Sequence, residues 1–125
     1  AAIQRIDLPN GVAEIGHILW GPAMARTPAS TEAVFLLVDY IFGLGARRVE
    51  WKCNDRNEAS KAAALRFGFT FEGVFRQHMI VKGENRDTAW FSLLDREWVG
   101  RREVVRAWLE PSNFDETGRQ KARLR

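Results

Sequence analysis

The sequence predicts a mixed α/β fold, a mostly antiparallel sheet with helices packed on it, in the order β-β-α-β-α-β-β-α. Three observations carry this. Strand-like alternation recurs near both ends of the chain, in "AAIQRIDL", "VAEIGHILW", "FTFEGVFRQHMIV" and "TAWFSLLD". A helical segment separates "VAEIGHILW" from the alternating "RRVEWKC", and strands joined through a helix run parallel with a right-handed crossover. The flanking hairpins supply the antiparallel pairs.

Each element has its own signal. Asn10-Gly11 marks the first hairpin, because both turn positions tolerate a positive φ. "GPAMARTPAS" reads as a loop of small residues, and Thr27-Pro28 offers a cap followed by proline at the first helical position. The helix "TEAVFLLVDYIFG" is apolar on nearly all sides, as packing on a sheet requires, and Gly43 and Gly45 close it. In "RRVEWKC", Val49, Trp51 and Cys53 share one face. After the turn "NDRN", residues 58–67 form a short helix with Gly68 at C′. The two long strands that follow are joined by "KGENRD". "REWVGRREVVRAWLE" is an amphipathic helix interrupted at Gly100 and ended by Pro111. Trp20, Trp51, Trp90 and Trp98 read as packing residues rather than ligand platforms.

The chain's 125 residues suit one core, and 46% hydrophobic with 28% charged residues describes a globular chain. Residues 1–110 are expected to form the domain and 111–125 a solvated basic tail. Residues 1–100 balance 12 basic against 12 acidic side chains, whereas 101–125 carry seven against four, which accounts for the net +3. That distribution argues against a broad nucleic-acid surface. The single Cys53 cannot form an internal disulfide, so a reducing cytoplasm is the expected compartment. No apolar run reaches the roughly 20 residues needed to span a bilayer, and no metal cluster is expected. The chain opens on Ala1, from which a fragment or processed product is expected.

Two stretches carry chemistry. In "ARTPASTEA" a loop enters a helix, where unpaired N–H groups favour an anion; Arg26, Ser30 and Thr31 add a charge and two hydroxyls. Read alone, the same stretch is N-capping by Thr27 or Ser30. In "NEASKAAALRFGF", Asn57 is a cap and Ser60 a first-turn residue, while Ala59, Ala62 and Ala63 permit close approach of a sheet or a ligand.

Read together, these stretches resemble the GNAT superfamily of acetyl-CoA-dependent N-acetyltransferases. The pattern Asn57-x-x-Ser60, Ala64-Leu65-Arg66-x-Gly68-Phe69 and Glu72-Gly73 is similar to the branch of ribosomal-protein N-terminal acetyltransferases, as is "FRQHMIVKGENRDTAWFSLLDREW". The resemblance spans roughly residues 1–98. It implies the superfamily's fold from its third strand onward, with its fourth and fifth strands splayed into a V. It also implies acetyl-CoA as co-substrate and a primary amine as acceptor. The pantetheine arm would pair with the fourth strand near Ile18 and Leu19. The pyrophosphate would sit on the central helix with Arg26, Thr27, Ser30 and Thr31, while Asn57, Ser60 and Arg66 would complete the cofactor site.

The chain departs from the family's pattern in several places. Ala29 and Thr31 stand where the pyrophosphate motif has glycines, and Pro28 lacks an N–H. Ala64 stands where many members carry a tyrosine near the cofactor's sulfur, and Ser60 holds the place to which the related branch assigns that role. Direct transfer also needs a base for the amine; His17 and His78 are the two candidates. The superfamily's first strand, first two helices and second strand, which shape the acceptor side, are not expected here. Their absence suggests self-association through an open edge, and leaves a non-catalytic, cofactor- or partner-binding module as the alternative.

Overall fold

A computed structural model describes residues 1–16 and 27–125. The described elements are β1 (Ala2–Asp7), β2 (Val12–Gly16), α1 (Pro28–Gly43), β3 (Arg48–Asn54), α2 (Glu58–Phe67), β4 (Thr70–Val81), β5 (Glu84–Leu94) and α3 (Asp95–Trp108), with a 3₁₀ turn at Pro111–Asn113. They follow the expected order. The five strands form one sheet in the order β1-β2-β3-β5-β4. Only β2 and β3 run parallel.

Strand alternation divides the sheet into two unlike faces. On one, Ala13 and Ile15 of β2, Val49, Trp51 and Cys53 of β3 and Ala89, Phe91 and Leu93 of β5 join the buried stripes of all three helices in one apolar cluster. Helix α1 contributes Val34, Phe35, Val38 and Ile41, the spacing that keeps residues on one side of a helix. Trp98 of α3 stacks on Phe67 of α2 at 5.9 Å and on Phe42 of α1 at 6.0 Å, so one indole joins three helices. The other face is polar: Glu14, Glu50, Lys52, Thr88 and Ser92 lie there, with Glu14, Thr88 and Ser92 buried.

The structure differs from the sequence-based expectation in three places. The connection between the long strands is the two-residue turn Lys82-Gly83, with φ of 52° and 77°, and residues 84–87 of "KGENRD" belong to β5. Two successive positive φ values match the strand twist, so the ladder continues through polar residues. Helix α3 runs unbroken through Gly100, whose missing side chain is tolerated because tertiary packing of Trp98, Val105 and Trp108 holds the helix. The basic tail does not fray. Leu124 is buried in the core, and the Trp108 indole donates to the Ala122 carbonyl at 2.9 Å.

Candidate active site at the parting of β2 and β3

The parallel pair β2–β3 is short. Its register joins Val12, Ala13 and Glu14 to Arg48, Val49 and Glu50 and goes no further. Beyond that point, among the described residues, Ile15 and Gly16 pair only with β1, while Trp51–Asn54 pair only with β5. Among the described residues the β2–β3 ladder therefore ends at Glu14 and Glu50, and beyond it each strand has a backbone edge without a described strand partner. A backbone edge that lacks a strand partner can bond an extended amide-bearing ligand.

Helix α2 begins on the β3 side of this ladder end. Asn57 is its cap: the Asn57 Oδ1 accepts the Ser60 N–H at 3.1 Å. Two residues from Trp51 along β3, Cys53 lies beneath the same first turn. The Ser60 Oγ accepts the Trp51 indole N–H at 3.0 Å. A serine hydroxyl has one proton to give, so occupying its acceptor side with Trp51 leaves that proton to donate elsewhere. Burial pushes the Cys53 thiol up from its ordinary value, a tendency partly opposed by a hydrogen bond to Ser60. Cys53 is consequently a neutral thiol, an inert wall beside Ser60. Its closeness to Ser60 was not read from the sequence, although the shared face of Trp51 and Cys53 pointed that way.

Helix α1 supplies the second part of the site. Pro28 stands in its first turn, and the Ser30 hydroxyl donates to the Thr27 carbonyl at 2.8 Å, so Ser30 has spent its proton on a main-chain carbonyl. Thr31 instead accepts from the Arg66 Nη1 at 3.1 Å. This bond joins the two stretches singled out in the sequence, 35 residues apart. The Arg66 guanidinium also lies over the Trp108 ring, 4.7 Å from its centre, and desolvation lowers its pKa. Among the described residues no Asp or Glu neutralises Arg66. A helix start, a threonine and an arginine without an acid partner form a set of donors suited to an anion.

His78 lies elsewhere, on β4 beside the bulge around Gln77. Its Nδ1 is 2.8 Å from the Thr88 Oγ1, and its ring meets Phe75 at 5.2 Å and Trp90 at 6.1 Å. Lys52 lies over Trp90 at 5.2 Å and reaches the buried Glu14 at 3.5 Å. His78 and Glu14 are thus two ends of one polar line across the helix-free face. This line went unread in the sequence, because it needs the β2–β3 register. His17, Ile18, Leu19 and Arg26 lie outside the described residues.

Comparisons with known proteins show the family. Residues 1–70 match the model of the acetyltransferase (GNAT) domain. The chain belongs to the GNAT acetyltransferase family. Among curated relatives it is 39% identical over 102 residues to the uncharacterized N-acetyltransferase p20 of Bacillus licheniformis, covering 78% of this chain and 54% of that protein. It is 33% identical over 102 residues to YdaF, a candidate ribosomal N-acetyltransferase of Bacillus subtilis, covering 81% and 55% respectively. The chain therefore spans about half the length of the curated relatives it matches. Among solved structures, a GCN5-related N-acetyltransferase from Brucella melitensis superposes with a TM-score of 0.97 at 59% identity, over 98% of this chain and 56% of that one. The microcin C7 self-immunity acetyltransferase MccE, solved with acetyl-CoA and AMP, matches with a TM-score of 0.64 at 34% identity, over 71% of this chain and 49% of its own.

Proposed function

We propose that this chain forms the coenzyme A side of an N-acetyltransferase that passes acetyl from acetyl-CoA to a primary amine by direct attack. The observation that carries the reading is the end of the β2–β3 ladder at Glu14 and Glu50, followed on the β3 side by the start of α2, whose Ser60 hydroxyl holds the Trp51 indole of β3. Family membership and the acetyl-CoA complex of a relative support it. The residues present fit the co-substrate: an extended edge for an amide-bearing arm, an anion site at the start of α1, and a hydroxyl where the arm ends.

In this reading Thr31 and Arg66 hold the pyrophosphate, together with Arg26. Ser60, its acceptor side filled by Trp51, donates to the coenzyme A sulfur as negative charge develops there. The start of α2 adds the positive end of a helix dipole. The acceptor amine must lose a proton before attack, and His78 is the described candidate. The role requires the tautomer in which Nδ1–H donates to Thr88, leaving the Nε2 lone pair free. A relative's designation as a ribosomal N-acetyltransferase makes protein N-termini the first acceptors to try.

The test follows release of coenzyme A thiol from acetyl-CoA in the presence of N-terminal peptides and small amines. Amine-dependent release supports the proposal. Cofactor binding without release for any amine would reduce the chain to a binding module.

A further inference from the structure

Helix α1 meets the core with Val34, Val38 and Ile41, and its opposite side faces outward. There Leu36, Tyr40 and Leu44 follow one another at intervals of four as one stripe along the helix, and they are 59%, 60% and 71% exposed. A helix side turned to water normally carries charge. Residues 33–46 hold one charged side chain, Asp39, which Arg102 and the Trp98 indole already take. Charge returns only at the ends. Glu32 in the first turn and Arg47 just past the last are both exposed, and among the described residues neither has an ion-pair partner. Arg48, next to it, is committed to Glu50 and Glu72. Gly43 stands beside the stripe. Its φ is not positive and a side chain there would meet nothing within 4 Å, so neither backbone nor packing within the chain calls for glycine. The edge strand β4 also exposes apolar side chains, but bulges interrupt its ladder at Phe71/Gly73 and Phe75/Met79, and bulges blunt an edge against pairing. The α1 stripe is unbroken.

The pattern is symmetric about Tyr40. Leu36 and Leu44 lie equally far on either side of it, as do Leu37 and Gly43, and the outer ends carry Glu32 and Arg47, of opposite sign. We propose that the outer side of α1 is a self-association surface whose occupant is a second copy of this chain, its own α1 packed antiparallel on a two-fold axis at Tyr40. In that arrangement Leu36 meets the other copy's Leu44, and Leu37 fills the space left at Gly43, a large residue against a small one. Glu32 of each copy meets the end at which the other carries Arg47. A two-fold contact uses the same patch twice and closes, so it gives a dimer rather than a filament. One pair of 16-residue helices, each roughly 24 Å long, makes a small interface, so the dimer separates on dilution. The inference stands apart from the acetyl-transfer reading.

The experiment is sedimentation velocity of the full chain over a range of about 1 to 200 μM, at low ionic strength, where charge pairs are least screened. It is repeated on Tyr40→Glu, Glu32→Arg, Arg47→Glu and the double variant Glu32→Arg/Arg47→Glu, with circular dichroism to establish that each is folded. A shift from one chain mass to two as concentration rises is expected. Tyr40→Glu sets two carboxylates against each other on the axis and should weaken the dimer about tenfold or more. Each single reversal should weaken it about five- to tenfold, because every change acts twice across the axis, and the double variant should restore it. The reversals lie at exposed positions, so they carry the test if Tyr40→Glu fails to fold. A chain that stays at one mass throughout overturns the proposal. A dimer that survives Tyr40→Glu places the contact elsewhere and also overturns it. So does a double variant no better than its singles. Mass that keeps growing beyond two chains indicates an open, head-to-tail contact and overturns the two-fold arrangement.

Discussion

Ser60 sits between Trp51, which donates to it, and Cys53, which burial keeps neutral. A hydroxyl so placed has one acceptor site taken by Trp51 and a sulfur within reach of its proton, so it is oriented to donate to sulfur. Ser60→Ala should slow turnover about 10- to 100-fold while changing the dissociation constant for acetyl-CoA little. Steady-state kinetics beside calorimetry separates the two, and equal losses would make Ser60 a binding residue only. Trp51→Phe keeps the ring and deletes the N–H, so it should reproduce a smaller part of the kinetic loss without loss of binding. Asn57 and Ser60 were readable from sequence, since a cap and its first-turn partner are local. The Arg66–Thr31 bond was not, because no local pattern reports the meeting of two helices.

At the scale of elements, α1 and α3 are clamped across the sheet's apolar face. Asp39 of α1 accepts from Arg102 at 2.7 Å and from the Trp98 indole at 3.2 Å. The ion pair is a third exposed, so solvent discounts it. Asp39→Ala should lower unfolding free energy by about 1 kcal/mol. Trp98→Ala, which removes the ring shared by three helices, should cost about 3–5 kcal/mol, measured by denaturant unfolding. Element order and the α2 boundaries were legible because period-3.6 and period-2 patterns are strong over these lengths. Tertiary packing overrode local signals at Gly100, and at the tail, where Leu124 has no periodic neighbours to reveal its burial. The Lys82-Gly83 turn escaped because the polar residues after it resemble a loop, although they pair in a ladder.

For the whole molecule, two polar clamps contribute to the response to acid, beside the exposed Asp87 and Asp115, whose carboxyls are also held below their ordinary range by hydrogen bonds. The hydrogen bond from Arg102 holds Asp39 below its ordinary pKa, and that from Arg48, with Ser92 adding to it, does the same for Glu72. Depressed carboxylate values mean the folded state binds fewer protons than the unfolded chain. The stability they contribute is fully present above the unfolded values of about 4 and is lost as pH falls through the folded ones. The thermal midpoint should therefore drop below about pH 4, and Glu72→Gln should flatten part of that drop.

Among the described residues, the molecule's organisation centres on one place, the end of the parallel β2–β3 ladder beside two helix starts. Calorimetric titration with acetyl-CoA, on the chain and on Arg66→Gln, tests this most directly. Saturable one-to-one binding, weakened about tenfold or more by the substitution, is the expected result. An absence of binding, or binding indifferent to Arg66, would contradict it.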